Sequence, residues 1–169
     1  MDQEPTTRAE AIAKLRKLIK GIKFAMLTTV EPDGSLRSRP MGTQETEFDG
    51  DLWFLTAADA PKVQEIQRER QVNVSYAAPD DQRYVSVSGS ATLVHDRQRV
   101  REYWSEPLKI WFPNGPDDPN LALLKVRVER AEYWESGSNA VGRAIDFAKA
   151  MITGDERQLG KNEKLDLSH

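Results

Sequence analysis

The segment YVSVSGSATLV, Tyr84 to Val94, alternates apolar with small polar residues over most of its length. Side chains of a strand point to opposite faces in turn, so the pattern calls for a β-strand with one buried and one wet face. Val85 and Val87 fall on one side, and Tyr84, Ser86 and Ser88 on the other. Gly89 marks a bulge or a close backbone approach. Such a strand needs partners, and the rest of the chain offers them.

VNVSYAA, just upstream, repeats the alternation. KFAMLTTV (Lys23–Val30) leads through EPDG, a turn with Pro32 second and Gly34 last, into LRSRPMGTQETEF. Read as one long strand, that segment puts Pro40, which lacks an N–H, at an edge or a bulge. DGD (Asp49–Asp51) then turns the chain into LWFLT, Leu52 to Thr56. The short loops predict a three-stranded antiparallel meander in which SRPMG lies beside LWFLT. LALLKVRV and AEYWES read as two last strands.

Helical spacing appears at four places. Thr7 and Glu10 form a capping box ahead of Ile12, Leu15, Leu18, Ile19 and Ile22, with Gly21 closing the helix. In APKVQEIQRER, Pro61 suits the first helical position, and Val63, Ile66 and the stem of Arg70 share a face. DRQRVREYW is the third. In SNAVGRAIDFAKAMITG, Ser138 and Gly154 are the caps, and Val141, Ala144, Ile145, Ala148, Met151 and Ile152 form an apolar stripe. Six or seven short strands with peripheral helices predict a mainly β fold, a small antiparallel barrel. The 169 residues suit one domain, residues 1–154, followed by a polar tail, 155–169, whose only apolar anchors are Leu159, Leu165 and Leu167.

Composition removes several chemistries. Without cysteine there is no disulfide, thiolate nucleophile or sulfur metal site, and two histidines, His95 and His169, do not make a histidine-rich metal centre. The acidic loop PDDPN lacks the glycine and terminal glutamate of a calcium loop and reads as a turn. A net charge of −3 and a pI near 5.5 oppose general nucleic-acid binding. No run approaches the ~18 apolar residues that span a bilayer, and the N-terminus lacks the features of a secretory signal. A cytoplasmic protein is the expectation by elimination.

Two places could hold an anion. TAADAPKV joins a strand to a helix start, where free N–H groups and the helix dipole favour negative charge. Lys62 sits in that first turn, an unfavourable place for a cation unless a phosphate occupies the helix end, with Thr56 offering a hydroxyl. A solvated lysine is the plainer alternative. Arg37 and Arg39 share one side of SLRSRPMG, either as wet strand residues or as part of the same anion site. Trp53, Trp104, Trp111 and Trp134 suit core or interface packing, and stacking on a planar ring is the rarer use.

Taken in order, DGSLRSRPMG, LWFLTAADAPKVQEI, VNVSYAAP, YVSVSGSATLV, IWFPNGPDDPNLALLKV and AEYWES resemble the pyridoxamine 5′-phosphate oxidase-like flavoproteins, with the bacterial general stress proteins as the nearest branch. The resemblance spans roughly Ile12 to Glu135. It implies a split β-barrel of Greek-key type, a homodimer, and FMN in clefts between the subunits. The family's R-P-M strand falls on Arg39, Pro40 and Met41, flanked by Ser38, along the edge of the flavin ring. A cation there would favour the reduced ring, on which negative charge develops. The aromatic-x-threonine segment falls on Phe54, Leu55 and Thr56, and the phosphate lysine on Lys62. Tyr84 matches a position that reaches the flavin from the partner subunit, and Trp111 in IWFP is a branch hallmark. Ala60 stands where the family often has a serine before a Pro-Lys or Arg-Lys pair, and Pro61 where the oxidase itself has an arginine, which implies weaker FMN binding than in the oxidase. The oxidase's C-terminal Arg-x-His signature is absent, since the chain ends KLDLSH, so pyridoxamine phosphate oxidase activity is not expected. The implied function is an FMN-dependent oxidoreductase of the general stress type. A non-catalytic flavin-binding module is the alternative, and an oligonucleotide-binding barrel a more distant one.

Overall fold

The computed structural model describes residues 7–44, 46–136, 140–154 and 161–168. In chain order the elements are α1 (Arg8–Ile19), β1 (Phe24–Val30), β2 (Leu36–Gly42), β3 (Asp51–Ala57), α2 (Pro61–Arg68), β4 (Gln71–Ala78), β5 (Arg83–Val94), α3 (Arg97–Tyr103), β6 (Leu121–Glu135), α4 (Ala140–Thr153) and β7 (Lys161–Asp166). The seven strands form one antiparallel sheet in the order β2-β1-β4-β5-β6-β3, with β7 also on β6. The sheet curls until β2 and β3, its two ends, come near each other without pairing. This is the expected split β-barrel.

Local chemistry explains the first elements. The Thr7 hydroxyl accepts from the Glu10 N–H at 3.2 Å while the Glu10 carboxylate accepts from the Thr7 N–H at 3.1 Å, so two orphan donors of α1 are satisfied reciprocally. Gly21, at φ +81°, releases the chain from the helix. Ala11, Leu15 and Leu18 of α1 close one end of the barrel over Leu27, Val74, Val87 and Tyr133. A second, smaller cluster, Leu55, Val100, Leu121 and Leu123, lies on the other face of β3 and β6. Both strands are therefore buried on two sides, which is why LWFLT and LALL read as continuous apolar runs. In that cluster Trp53 lies beneath the Arg99 guanidinium at 4.1 Å.

The structure departs from the sequence reading in five places. β2 stops at Gly42 and does not run on to Phe48. The three-stranded meander is not formed: β1 and β2 are a hairpin, but β3 pairs with β6. After β2 the chain crosses the end of the barrel, held by buried Phe48 and by the Arg16 Nε–H, which donates to the Phe48 carbonyl at 2.8 Å. LALLKVRV and AEYWES are one continuous strand, β6. Its polar interruption is a bulge, since Ser88 pairs with Arg130 and Gly89 with Val128, leaving Glu129 extra. A Cβ at Gly89 would stand 2.2 Å from the Arg127 carbonyl oxygen, so the close approach needs glycine. α2 ends at Arg68, leaving Arg70 exposed, and Glu65 is the further residue it buries beside Val63 and Ile66.

The fifth departure is in the tail, which includes β7. Leu165 and Leu167 are buried there, and the Tyr133 hydroxyl donates to Glu163 at 2.7 Å. Pro40 lies on the outermost strand, as its missing N–H requires, and Gly154 ends α4 at φ +67°. Ser138 and Leu159, and the side chain of Val141, lie outside the described residues. Ala144, Ile145, Ala148, Met151 and Ile152 of α4 are all exposed. Among the described residues no helix is long and apolar enough to cross a membrane, and no cluster of metal-ligating side chains occurs.

Candidate functional site

Ala25, Leu27 and Thr29 alternate on the inner face of β1; the first two are core, and Thr29 sets a buried hydroxyl at the end of that row. Antiparallel pairing puts Arg39 of β2 opposite Leu27. From there its guanidinium donates to Thr29 Oγ1 at 2.5 Å and to the Leu27 carbonyl at 3.5 Å. A second nitrogen donates to the Glu65 carboxylate of α2 at 3.0 Å, and the Thr29 hydroxyl donates to the same Glu65 oxygen at 2.5 Å. Thr29, Arg39 and Glu65 thus form one closed triangle, with Glu65 only 6% exposed. Burial alone would raise the Glu65 carboxyl, but Thr29, Arg39 and Arg37 together hold it below the ordinary carboxylate range.

Lys62 stands one turn before Glu65 on the same helix. Burial, and then the Arg39 guanidinium, push its ammonium below the usual lysine range. Among the described residues no carboxylate forms an ion pair with it. The helix start adds to this positive charge. Its N-cap is Ala60, which offers no side-chain acceptor, Pro61 follows, and the first turn contains no acidic residue. The corner is therefore cationic, partly dehydrated and short of a counter-charge.

The structure brings Arg39 and Lys62 together, as the sequence suggested, but through α2 packing on β1 and not through a β2–β3 pair. The other candidate residues distribute around this corner. Phe54, Leu55 and Thr56 are buried, and the Thr56 hydroxyl reaches the Ala57 carbonyl at 3.4 Å. Among the described strands β3 has only β6 as a neighbour, so its other backbone edge faces the split. Met41 is buried on the inner face of β2. Ser38 and Pro40 point outward, and the Ser38 hydroxyl bonds Thr28 at 2.5 Å. Arg37 is exposed and pairs with Glu31 at 3.7 Å. Trp111 follows a 3-10 turn, Glu106–Ile110, and is 60% exposed.

Tyr84 belongs to a separate feature on the outer face of the sheet. There Phe24, Met26, Tyr84 and Trp134, all substantially exposed, line a shallow cleft of about 280 Å³ floored by Ser75 and Ser86. Sequence reasoning missed Thr29 and Glu65. Their signal was a polar residue where periodicity asks for an apolar one: Thr29 after Ala25 and Leu27, and Glu65 between Val63 and Ile66.

A family model described as pyridoxamine 5′-phosphate oxidase like matches residues 10–158. Protein bli-3 of Neurospora crassa is 33% identical over 162 residues, covering 90% of this chain and 78% of that protein. General stress protein 26 from Bacillus anthracis superimposes with a TM-score of 0.65 at 27% identity, covering 72% of this chain and 92% of that one. The general stress FMN/FAD binding protein from Xanthomonas citri gives a TM-score of 0.65 at 28% identity, covering 78% of this chain and 92% of that one. With the split barrel described above, these likenesses show that the chain belongs to the pyridoxamine 5′-phosphate oxidase-like family and is similar to its general stress proteins.

Proposed function

We propose that the protein binds FMN and acts as a flavin-dependent oxidoreductase of the general stress type. The observation that carries this reading is Lys62, a half-buried cation beside Arg39 at an uncapped helix start, with no carboxylate paired to it among the described residues. A phosphate monoester fits this corner because its oxygens are strong acceptors and its charge offsets the Lys62 cation that Glu65 does not pair. Lys62 and the first turn of α2 would hold the phosphate, while Arg39 adds positive potential from within its triangle. The open edge of β3, at Phe54, Leu55 and Thr56, offers backbone groups to the polar chain of the ligand. The similarity to a protein named for FMN/FAD binding supports a flavin; the single-phosphate corner favours FMN.

The same reading includes a homodimer. The outer cleft with Tyr84 and Trp134, and the exposed apolar stripe of α4, are surfaces that a second copy would cover. In that arrangement Tyr84 of the partner subunit would complete the ring pocket. Bound flavin would supply the hydride or electron transfer, and the protein its binding and orientation. The chain, free of cysteine, suits the cytoplasm.

The test is direct. Purified protein should be yellow and should release FMN, identified by chromatography, on denaturation. Colourless protein that also fails to quench added FMN fluorescence would end the proposal. One observation favours a protein that holds flavin without turnover: among the described residues the cleft is lined by no carboxylate, lysine or histidine, and its only ionisable groups are the phenols of Tyr76 and Tyr84. Anaerobic mixing with NADH and NADPH decides between the readings, since a nicotinamide-dependent reductase must bleach the bound flavin with one of them.

A further inference from the structure

Glu65 takes no part in the phosphate corner by contact, yet it is bound to one of its cations, Arg39, and stands on the same helix as the other, Lys62. Its carboxylate binds the Arg39 guanidinium at 3.0 Å and the Thr29 hydroxyl at 2.5 Å, and it lies three residues after Lys62. Two like charges in a partly dehydrated corner repel strongly, because the screening of bulk water is reduced there. A carboxylate locked onto one of them offsets that repulsion.

We propose that Glu65 is the positioning residue of the anion site: it fixes Arg39 and offsets its charge, so that Lys62 stays a cation ready for an anionic ligand. The proposal rests on the FMN reading for the identity of that ligand, but not for the behaviour of Lys62.

The charged surroundings leave Glu65 as the group with this role. β2 brings Arg39 and Arg37, and Arg37 is already engaged by Glu31 at 3.7 Å. β1 brings the neutral Thr29. β5, also packed against α2, carries one charged side chain, Arg83 at its first position, which pairs with Asp81 at 3.7 Å. Glu65 is buried where Val63 and Ile66 are, at the expense of desolvating a carboxylate, which packing alone does not require.

Glu65→Gln keeps the shape and an acceptor for Arg39 and Thr29 but removes the charge. In ligand-free protein, the Lys62 side-chain resonance followed by NMR should titrate at lower pH in E65Q than in wild type. FMN affinity measured by fluorescence quenching should then begin its alkaline decline at a lower pH in E65Q than in wild type. A Lys62 midpoint that is unchanged or higher in E65Q overturns the proposal, whatever the ligand. Lys62→Ala, assayed alongside, separates the two ideas. If wild type binds FMN, K62A weakens it and E65Q follows the wild-type pH profile, Glu65 has no such role and the phosphate corner stands. If no protein binds FMN but Lys62 shifts in E65Q, the ligand reading fails and the role of Glu65 stands. Should E65Q fail to fold, Thr29→Val, which loosens the same carboxylate without removing its charge, should still displace the Lys62 midpoint; no displacement in T29V would count against the proposal.

Discussion

Replacing Lys62 should have opposite effects on the empty and the loaded protein. In the empty protein, burial and Arg39 lower its pKa below the unfolded-chain value, so the folded state binds that proton less tightly. The resulting penalty is full below the folded pKa and disappears as pH rises through the unfolded one. Lys62→Met should therefore raise the melting temperature of ligand-free protein at pH 7, as calorimetry would show. Lys62→Ala should weaken FMN by about 1.5–3 kcal/mol, the value of a hydrogen bond to a charged group, read as a Kd at least tenfold higher. FMN affinity itself should rise to neutral pH as the phosphate loses its second proton near ~6, then decline on the alkaline side as Lys62 discharges. A profile flat to high pH would mean that Lys62 does not touch the anion. At this scale the two cations were legible because each stood in a place that disfavours it. Thr29 and Glu65 were not, because a threonine in a strand and a glutamate on a short helix are ordinary until tertiary packing buries them against one arginine.

Gly89 shows how one position can decide an element. A methyl group there would meet the Arg127 carbonyl, which is fixed in the β5–β6 ladder and cannot turn aside. Gly89→Ala should cost ~3 kcal/mol in urea unfolding, at the upper end for overpacking, with the loss shared by every strand that β6 supports. The sequence marked this glycine correctly but not its counterpart, because the bulge at Glu129 looked like a gap between two strands. Leu167, only 1% exposed, makes the complementary case for β7. Leu167→Ala should destabilise by about 2–5 kcal/mol, which a solvated tail would not do. Local signals such as the Thr7–Glu10 box, the EPDG turn, Pro61 and the alternation of β4 and β5 were readable because the interactions they encode lie within a few residues. The pairing of β3 was not, since a short turn after a hairpin favours a third strand alongside, whereas the chain crosses the barrel end through the burial of Phe48 and its tie to Arg16, which lie far apart in sequence.

At the scale of the whole molecule, the exposed face of α4 sets an expectation for assembly. Met151 and Ile152 are 72% and 86% exposed, so charging them costs the monomer little. A Met151→Glu, Ile152→Glu protein should keep its circular dichroism but move toward monomer in light scattering, and its melting temperature should lose the concentration dependence of a dimer. Unchanged mass would count against α4 as the contact of the proposed dimer. The long-range pairing of β3 has a further consequence, for the nascent chain. Leu52 waits for Val126, and Ala57 for Leu121, yet α2, β4, β5 and α3 must all be synthesised in between. During that interval LWFLT is an apolar strand without its β6 partner, and contacts that close so large a loop form slowly. The vulnerable period of this protein therefore falls during translation, between the third strand and the sixth, when a bound chaperone would have most to protect.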